Sequence, residues 1–310
     1  MRIVITGGAG CLGSNLIEHW LPRGHDILVI DNFATGKREV VPALPRLELV
    51  EGSVVDRDLT ARVFARFRPE LVVHSAAAYK DPADWTADAE TNVVGSINVA
   101  RAAEAAGVKR LVNFQTALSY GRPQRVPIPA DHPSAPFTSY GISKTAGEQY
   151  LLMAAVPTVS LRLANVTGPR LAIGPIPTFY KRLQAGQKCF CSDTVRDFLD
   201  MSDFLSLMDL VVADGAPTGV FNASTGEGHA IKDVYDAVAA YLGITPAEEV
   251  PIVPPGADDV RVVVLDPSET ERAFGWKAHV GFIEMIRRQL DWYREHGVSD
   301  IHSHLAAPRP

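Results

Sequence analysis

Only three cysteines occur in the 310 residues, Cys11, Cys189 and Cys191. Their number and spacing make neither a disulfide framework nor a metal knuckle. Cys189 and Cys191 alternate as in a strand, which predicts two free thiols on one side, buried or half-buried, rather than a metal pair. No metal site is expected. The chain also lacks a basic excess. Its formal charge is -6, which predicts no nucleic-acid or anionic-membrane partner, although a local basic pocket can still take an anionic substrate. No apolar run reaches transmembrane length. No leader is recognisable, because residues 1–10 run straight into a strand-and-turn pattern. These absences together predict a cytoplasmic protein. Internal repeats and low-complexity tracts are missing as well.

What remains is an ordinary composition for a folded enzyme, 46% hydrophobic and 21% charged, enough to fill a sizeable core. Short apolar, β-branched runs at 2–6, 26–31, 47–51, 71–74, 110–114 and 158–162 read as buried strands. Segments with helical apolar spacing separate them, at 12–23, 58–68, 88–106 and 140–153. Regular alternation of this kind predicts an α/β fold: a doubly wound, Rossmann-like parallel sheet with helices on both faces. Past residue 168 the rhythm breaks into turn-rich sequence. The predicted division is a dinucleotide-binding domain at 1–168, with 197–225 returning to the sheet. A smaller mixed α/β lobe for the substrate covers 169–196 and 226–300, and 301–310 form a frayed tail.

Gly7, Gly10 and Gly13 fall where the first strand turns into the first helix. Glycine lets the backbone approach a pyrophosphate, and the helix N-terminus, with Cys11 and Leu12, offers N–H donors and partial positive charge. Asp31 ends the next strand, about 20 residues on, where the dinucleotide fingerprint expects a carboxylate for the adenosine ribose. It favours NAD over NADP. Lys37 and Arg38 weaken that preference slightly, unless they are simply a solvated loop. Asp56 either reaches the adenine amino group or caps the helix before Leu59. Ala76, Ala77 and Ala78 are small enough for the backbone after the fourth strand to lie against the cofactor.

Tyr140 and Lys144 stand one helical turn apart on one face. A tyrosine needs its pKa lowered from about 10 to near 7 to act as a base, which takes about 4 kcal/mol. A neighbouring ammonium and the positive ring of an oxidised nicotinamide could supply it. A Tyr-x-x-x-Lys spacing occurs by chance, so the pair alone is weak. Thr116 strengthens it, because a hydroxyl near the carboxyl end of the fifth strand can bond the substrate oxygen that Tyr140 deprotonates.

With these segments together, the chain resembles the extended short-chain dehydrogenase/reductases of the nucleotide-sugar epimerase/dehydratase family. The matching segments are residues 6–13, 31–36, 74–77, 116–121, 140–144, 162–169 and 196–198, spanning nearly the whole chain in a specific order. From Tyr79 through Phe190 it is similar to sugar epimerases of bacterial surface-polysaccharide clusters. The resemblance implies Thr116, Tyr140 and Lys144 as the catalytic set, with Tyr140 as base and then acid, and Lys144 on the nicotinamide ribose. It implies NAD contacts from Gly7, Gly10, Cys11, Leu12, Gly13, Asp31, Asn32, Asp56, Ala76, Ala77 and Ala78. Lys80, Asn165, Arg196 and Arg261 would bind a nucleotide-sugar, UDP-linked by the same resemblance. Arg261 could instead simply pair with Asp258 or Asp259. The family also implies a homodimer built on helices 88–106 and 140–153.

In this family the shared first step is hydride loss from the sugar C4 to NAD⁺. Dehydratases of the family carry Asp-Glu directly after the catalytic Thr, and decarboxylases usually a Glu there. Here the residues are Ala117 and Leu118, which cannot do acid–base work at C5 or C6. The expected reaction is therefore C4 epimerisation of a UDP-hexose. A 4-keto-sugar reductase is the main alternative, with a 4,6-dehydratase or decarboxylase behind it. A non-catalytic NAD-binding regulator would commonly lack the Tyr-Lys pair. Ser119 replaces the Val usual in the family; its hydroxyl could touch the sugar, but filling space is the preferred reading.

Overall fold

Strand β1 (Arg2–Thr6) shows why the sheet forms: Ile3, Val4 and Ile5 are fully buried. Burying one such side chain is worth roughly 1.5–3 kcal/mol. Only a parallel strand covered on both faces puts every residue of such a run inside. A computed structural model describes residues 1–79, 81–246, 248–256 and 258–301. After β1 come β2 (Asp26–Asp31), β3 (Leu47–Glu51), β4 (Leu71–His74), β5 (Arg110–Thr116) and β6 (Thr158–Leu163). Then follow β7 (Asn165–Thr167), β8 (Cys191–Ser192), β9 (Val195–Arg196), β10 (Phe198–Asp200) and β11 (Gly219–Ala223). The seven-stranded sheet has the order β11-β6-β5-β4-β1-β2-β3, and every pairing in it is parallel. Strand β1 lies between β2 and β4. The chain's winding direction reverses there, and the crevice beyond the carboxyl ends is where such sheets bind ligands.

Helices α1 (Cys11–Trp20), α2 (Arg57–Phe67), α3 (Trp85–Asp88), α4 (Gly95–Ala106) and α5 (Ser139–Met153) cover this sheet. Apolar side chains form one cluster on each face: Leu16, Trp20, Phe114 and Phe204 on one, Phe64, Val99, Ala103 and Leu151 on the other. The apolar spacing predicts one long helix at 88–106, and the structure is helical without interruption from Trp85 to Ala106. A π-helical stretch, Ala89–Val94, joins α3 to α4. Helix α5 packs closely against this stretch: a Cβ at Gly147 would sit 2.2 Å from the Asn92 carbonyl oxygen and 2.7 Å from Ser96 Oγ. Only glycine allows that approach, and a widened turn of this kind frequently sits at a functional site.

The chain continues with α6 (Pro175–Gln184), α7 (Met201–Val211), β12 (His229–Ala230), α8 (Ile231–Tyr241), β13 (Ile252–Val253), β14 (Val262–Val263), α9 (Ser268–Phe274) and α10 (Phe282–His296); α7 through Phe204, Leu207 and Met208, and α9 through Phe274, pack on the sheet, and the others lie beyond it. Ile176, Phe179, Tyr235, Ile286 and Tyr293 belong to a separate apolar cluster there. Short strands tie this part together: β9 pairs with β12 and β14, β8 with β13, and β7 with β10. Among the described residues no helix is long and apolar enough to cross a membrane. Nor do three or more His, Cys, Asp or Glu among them gather into a group able to hold a metal ion.

Candidate active site

The glycine-rich turn is the floor of the crevice. Gly7 has φ +68°, and a Cβ on it would lie 2.7 Å from the Ala76 Cα. The turn after β1 and the chain after β4 therefore touch backbone to backbone, which explains both the glycine and the alanines. Gly10 caps α1 without any side-chain bond, and the first turn, with Cys11, Leu12 and Gly13, holds no acidic residue. Its N–H groups and the positive end of the helix dipole stay open to an anion. This cradle fits a pyrophosphate.

Asp31 is buried, with its carboxylate between two backbone donors. Oδ2 accepts from Ala9 N at 2.9 Å and Oδ1 from Phe33 N at 2.8 Å. The acid is thereby fixed at the carboxyl end of β2. Asn32 Oδ1 accepts from Ala34 N and braces the same loop. Lys37 pairs with Asp300 at 2.7 Å and Arg38 with Glu51. Both cations thus have exposed carboxylate partners. Asp56 accepts from Leu59 N at 2.9 Å and is the cap of α2. That cap is the bond the structure shows for it. Cys11 donates to the Pro169 carbonyl, and burial pushes its thiol up to about 12, leaving it unreactive.

Helix α5 carries Tyr140 and Lys144. Thr138 starts it by accepting from Gly141 N at 3.1 Å. Lys144 Nζ donates to the Phe114 carbonyl at 2.7 Å, so the ammonium sits against the end of β5. Burial lowers its pKa to about 8, and the Glu148 carboxylate works the other way. Thr116 is the last residue of β5, where the sequence pattern placed it just beyond the strand; its Oγ1 accepts from Leu118 N at 3.1 Å. That bond leaves the hydroxyl proton available for a ligand oxygen.

One expectation needs correction. The sequence predicts that Lys144 draws the Tyr140 phenol down. In the structure the influences on that phenol all push it up: burial first, then Tyr79 and Asp88. The Tyr79 ring meets Tyr140 edge-on at 6.3 Å. Burial disfavours the phenolate, and Lys144 is turned to the Phe114 carbonyl.

Two residues of this centre were missed from the sequence. Asn92, in the π-helical stretch, bonds Ala78 through both its oxygen (2.9 Å) and its nitrogen (3.0 Å), and also reaches Ser143 Oγ at 3.0 Å. It ties the cofactor-side backbone to the helix of Tyr140. Gln115 Nε2 donates to the Lys144 carbonyl at 2.9 Å and its Oε1 accepts from Thr116 N. A polar residue at a core-facing position was the available signal in each case. Ser119 is fully buried, and its hydroxyl has no hydrogen-bond partner among the described residues.

The predicted substrate residues gather around β9. Asn165 Nδ2 donates to the Asp197 carbonyl at 2.9 Å. Arg196 is paired with Asp259, and Arg261 with Asp193 at 2.9 Å. The carboxylate that holds Arg261 is thus Asp193, not the expected Asp258 or Asp259. Val195 N donates to the Arg261 carbonyl, which sets both arginines on one small sheet. Asp197 next to Arg196 is buried and accepts from Thr225 and Gly226, and burial raises it to about 6. Cys191 is buried and Cys189 half-buried in the same cluster, both unpaired and pushed up by burial. Lys80 lies outside the described residues.

The sheet's reversal at β1 and the glycine cradle define a dinucleotide-binding α/β protein. The matching family model, "Epimerase: NAD dependent epimerase/dehydratase family", covers residues 3–224. The chain belongs to that family, and its cofactor is NAD. It is similar to a structure of the Bordetella bronchiseptica enzyme WbmG in complex with NAD and UDP, at 73% identity and TM-score 0.95, covering 99% of each chain. It is similar to the WbmH enzyme of the same organism in complex with NAD⁺, at 42% identity and TM-score 0.90, covering 96% of this chain and 99% of that one. A UDP-glucose 4-epimerase of Mycolicibacterium smegmatis is 33% identical over 95% of this chain and 99% of its own length.

Proposed function

We propose that the protein is a UDP-sugar 4-epimerase that works through transient oxidation at the sugar C4. The observation carrying this reading is that Lys144, one turn beyond Tyr140 on α5, donates to the Phe114 carbonyl in β5, the strand that ends at Thr116. The 4-epimerase name of the Mycolicibacterium relative and the UDP bound to WbmG support the substrate class.

When bound, NAD⁺ would supply the acceptor for the C4 hydride and a positive charge that favours a phenolate. The chain's own residues do the rest. The cradle at Gly7, Gly10 and Gly13 takes the pyrophosphate, and Asp31 the adenosine ribose. Ala76, Ala77 and Ala78 let the backbone lie close to the cofactor. Thr116 donates its hydroxyl proton to the C4 oxygen. Tyr140 takes the C4 hydroxyl proton and later returns it. Lys144 holds the nicotinamide ribose. Arg196 and Arg261 exchange their carboxylates for the substrate diphosphate, an exchange their forked geometry suits, and Asn165 contacts the same group. Ala117 is buried and Leu118 beside it is apolar, so these positions supply no acid or base for eliminating water or carbon dioxide.

Purified protein loaded with NAD should interconvert C4 epimers of a UDP-hexose without consuming reduced cofactor; stoichiometric consumption would indicate a 4-keto-sugar reductase instead. Tyr140→Phe should lower kcat by at least about 100-fold while the melting profile stays put. A fully active Tyr140→Phe protein would sink the reading.

The exposed apolar residues Ile142, Tyr150 and Met153 on α5, with Trp85 and Val94 beside them, support a homodimer through this face. Light scattering at the mass of a single chain would rule it out.

A further inference from the structure

His74, the last residue of β4, is fully buried and has no part in the mechanism above. Both of its ring nitrogens are bonded. Nδ1 lies 2.8 Å from Thr6 Oγ1, and Nε2 lies 3.0 Å from Ser96 Oγ. The bond directions follow from the protons available. Ser96 has one hydroxyl proton, and donates it to the Asn92 carbonyl at 2.6 Å. Ser96 Oγ must therefore accept from His74, so the proton of the neutral imidazole sits on Nε2. Nδ1 is then bare and accepts from the Thr6 hydroxyl. Thr6 Oγ1 in turn accepts from Ala76 N at 3.4 Å. Burial first, and then the charge of Lys144, pushes the imidazole down to about 3, which keeps it neutral in the working range.

Both ends of this chain of bonds meet the same stretch of backbone. At one end Thr6 holds Ala76. At the other, Asn92 holds Ala78 through both its N–H and its carbonyl. The Ala76 backbone is the one that lies against Gly7, where a Cβ would sit 2.7 Å from its Cα. Ser96 Oγ also lies against α5, 2.7 Å from where a Cβ of Gly147 would stand. His74 thus joins the end of β1, the 76–78 backbone and the π-helical stretch, three segments far apart in sequence that border the cofactor cradle. An apolar side chain could fill the same space, but a fully bonded imidazole also fixes where its neighbours lie. We propose that His74, as its Nε2–H tautomer, is a positioning residue of the cofactor site, setting the height of the Ala76–Ala78 backbone against which NAD lies. This role rests on the placement of NAD given under the proposed function.

Calorimetric titration of cofactor-stripped protein with NAD, and separately with UDP, tests it without turnover. His74→Leu removes two bonds of the chain and should weaken NAD by about 10- to 100-fold, with UDP binding unmoved. His74→Asn, which keeps an acceptor for Thr6, should retain more of the NAD affinity than His74→Leu. Should His74→Leu fail to fold, Thr6→Val and Ser96→Ala each remove one bond and should each weaken NAD by about 3- to 10-fold. Ring nitrogen resonances of the unchanged protein should show the proton on Nε2 and no titration between about pH 5 and 8. A proton on Nδ1 would reverse the chain of bonds and overturn the proposal. So would a lowered melting temperature with NAD affinity unmoved, or an equal loss of NAD and UDP affinity, either of which leaves His74 a merely structural contact. If Asp31→Asn also left NAD binding unmoved, the placement of NAD itself would fall. If Asp31→Asn weakened NAD and the His74, Thr6 and Ser96 variants did not, the role of His74 alone would fall.

Discussion

Asp31→Asn is the sharpest probe of the cofactor site. Asp31 Oδ1 and Oδ2 each accept a backbone N–H, from Phe33 at 2.8 Å and Ala9 at 2.9 Å. Hydrogen bonds to a charged acceptor are worth roughly 1.5–3 kcal/mol each. An asparagine can accept only one of the two, and its NH₂ then faces the other donor. We expect a loss of about 2 kcal/mol. At roughly 2.1 cal/mol/K of unfolding entropy per residue, that loss lowers Tm by about 3 °C in a chain of this length. The same carboxylate is proposed to accept the adenosine ribose hydroxyls, so NAD should bind about 10- to 100-fold more weakly. Repulsion of a 2′-phosphate disappears with the charge, so NADP should bind no worse and the preference should narrow by a similar factor. Calorimetric titration of cofactor-stripped protein with NAD and with NADP measures both constants, and thermal unfolding measures the stability. An unchanged NAD constant with an unchanged NAD/NADP ratio would refute the reasoning and leave Asp31 as a brace for the loop.

Lys144→Met should separate stability from activity. The folded pKa of Lys144 is lowered from 10.5 to about 8. A depressed lysine stabilises the fold above its unfolded pKa, and that contribution is lost as pH falls through about 8. At pH 7 its charge therefore costs up to roughly 3 kcal/mol, less the bond to Phe114. The cofactor-free variant should melt higher than the unchanged protein at pH 7, and the difference should shrink towards pH 10. Turnover should fall at least about 100-fold; a variant melting lower at pH 7 would count against the sign. Arg196→Ala should weaken UDP binding by about 10- to 100-fold, the worth of one charge-assisted contact, with NAD binding unmoved. Calorimetry with UDP alone checks it, and equal affinity in both proteins would remove Arg196 from the substrate site.

Much of this protein was legible in its sequence. The apolar run at 2–6 and its glycine turn could only be a covered parallel strand feeding a helix. Asp31 and the Tyr140–Lys144 spacing are local features, readable because strand ends and helical turns have fixed periods. Ala117 and Leu118 narrowed the chemistry by what their side chains lack. Other features depended on which distant segments meet. At the π-helical stretch 89–94, Gly147 of another helix lies close against the Asn92 carbonyl, a contact absent from the spacing of residues 88–106. Asp193, rather than a nearer acid, holds Arg261 because β14 lies beside β9. The direction of the Tyr140 phenol was set by burial and by Tyr79 and Asp88, none of which the four-residue spacing reveals. Local conformational preference and side-chain chemistry are properties of short segments, so the sequence determined the fold class and the candidate groups. Desolvation and charge pairing depend on neighbours across the fold, and only the tertiary structure decided which groups carry charge and what each one faces.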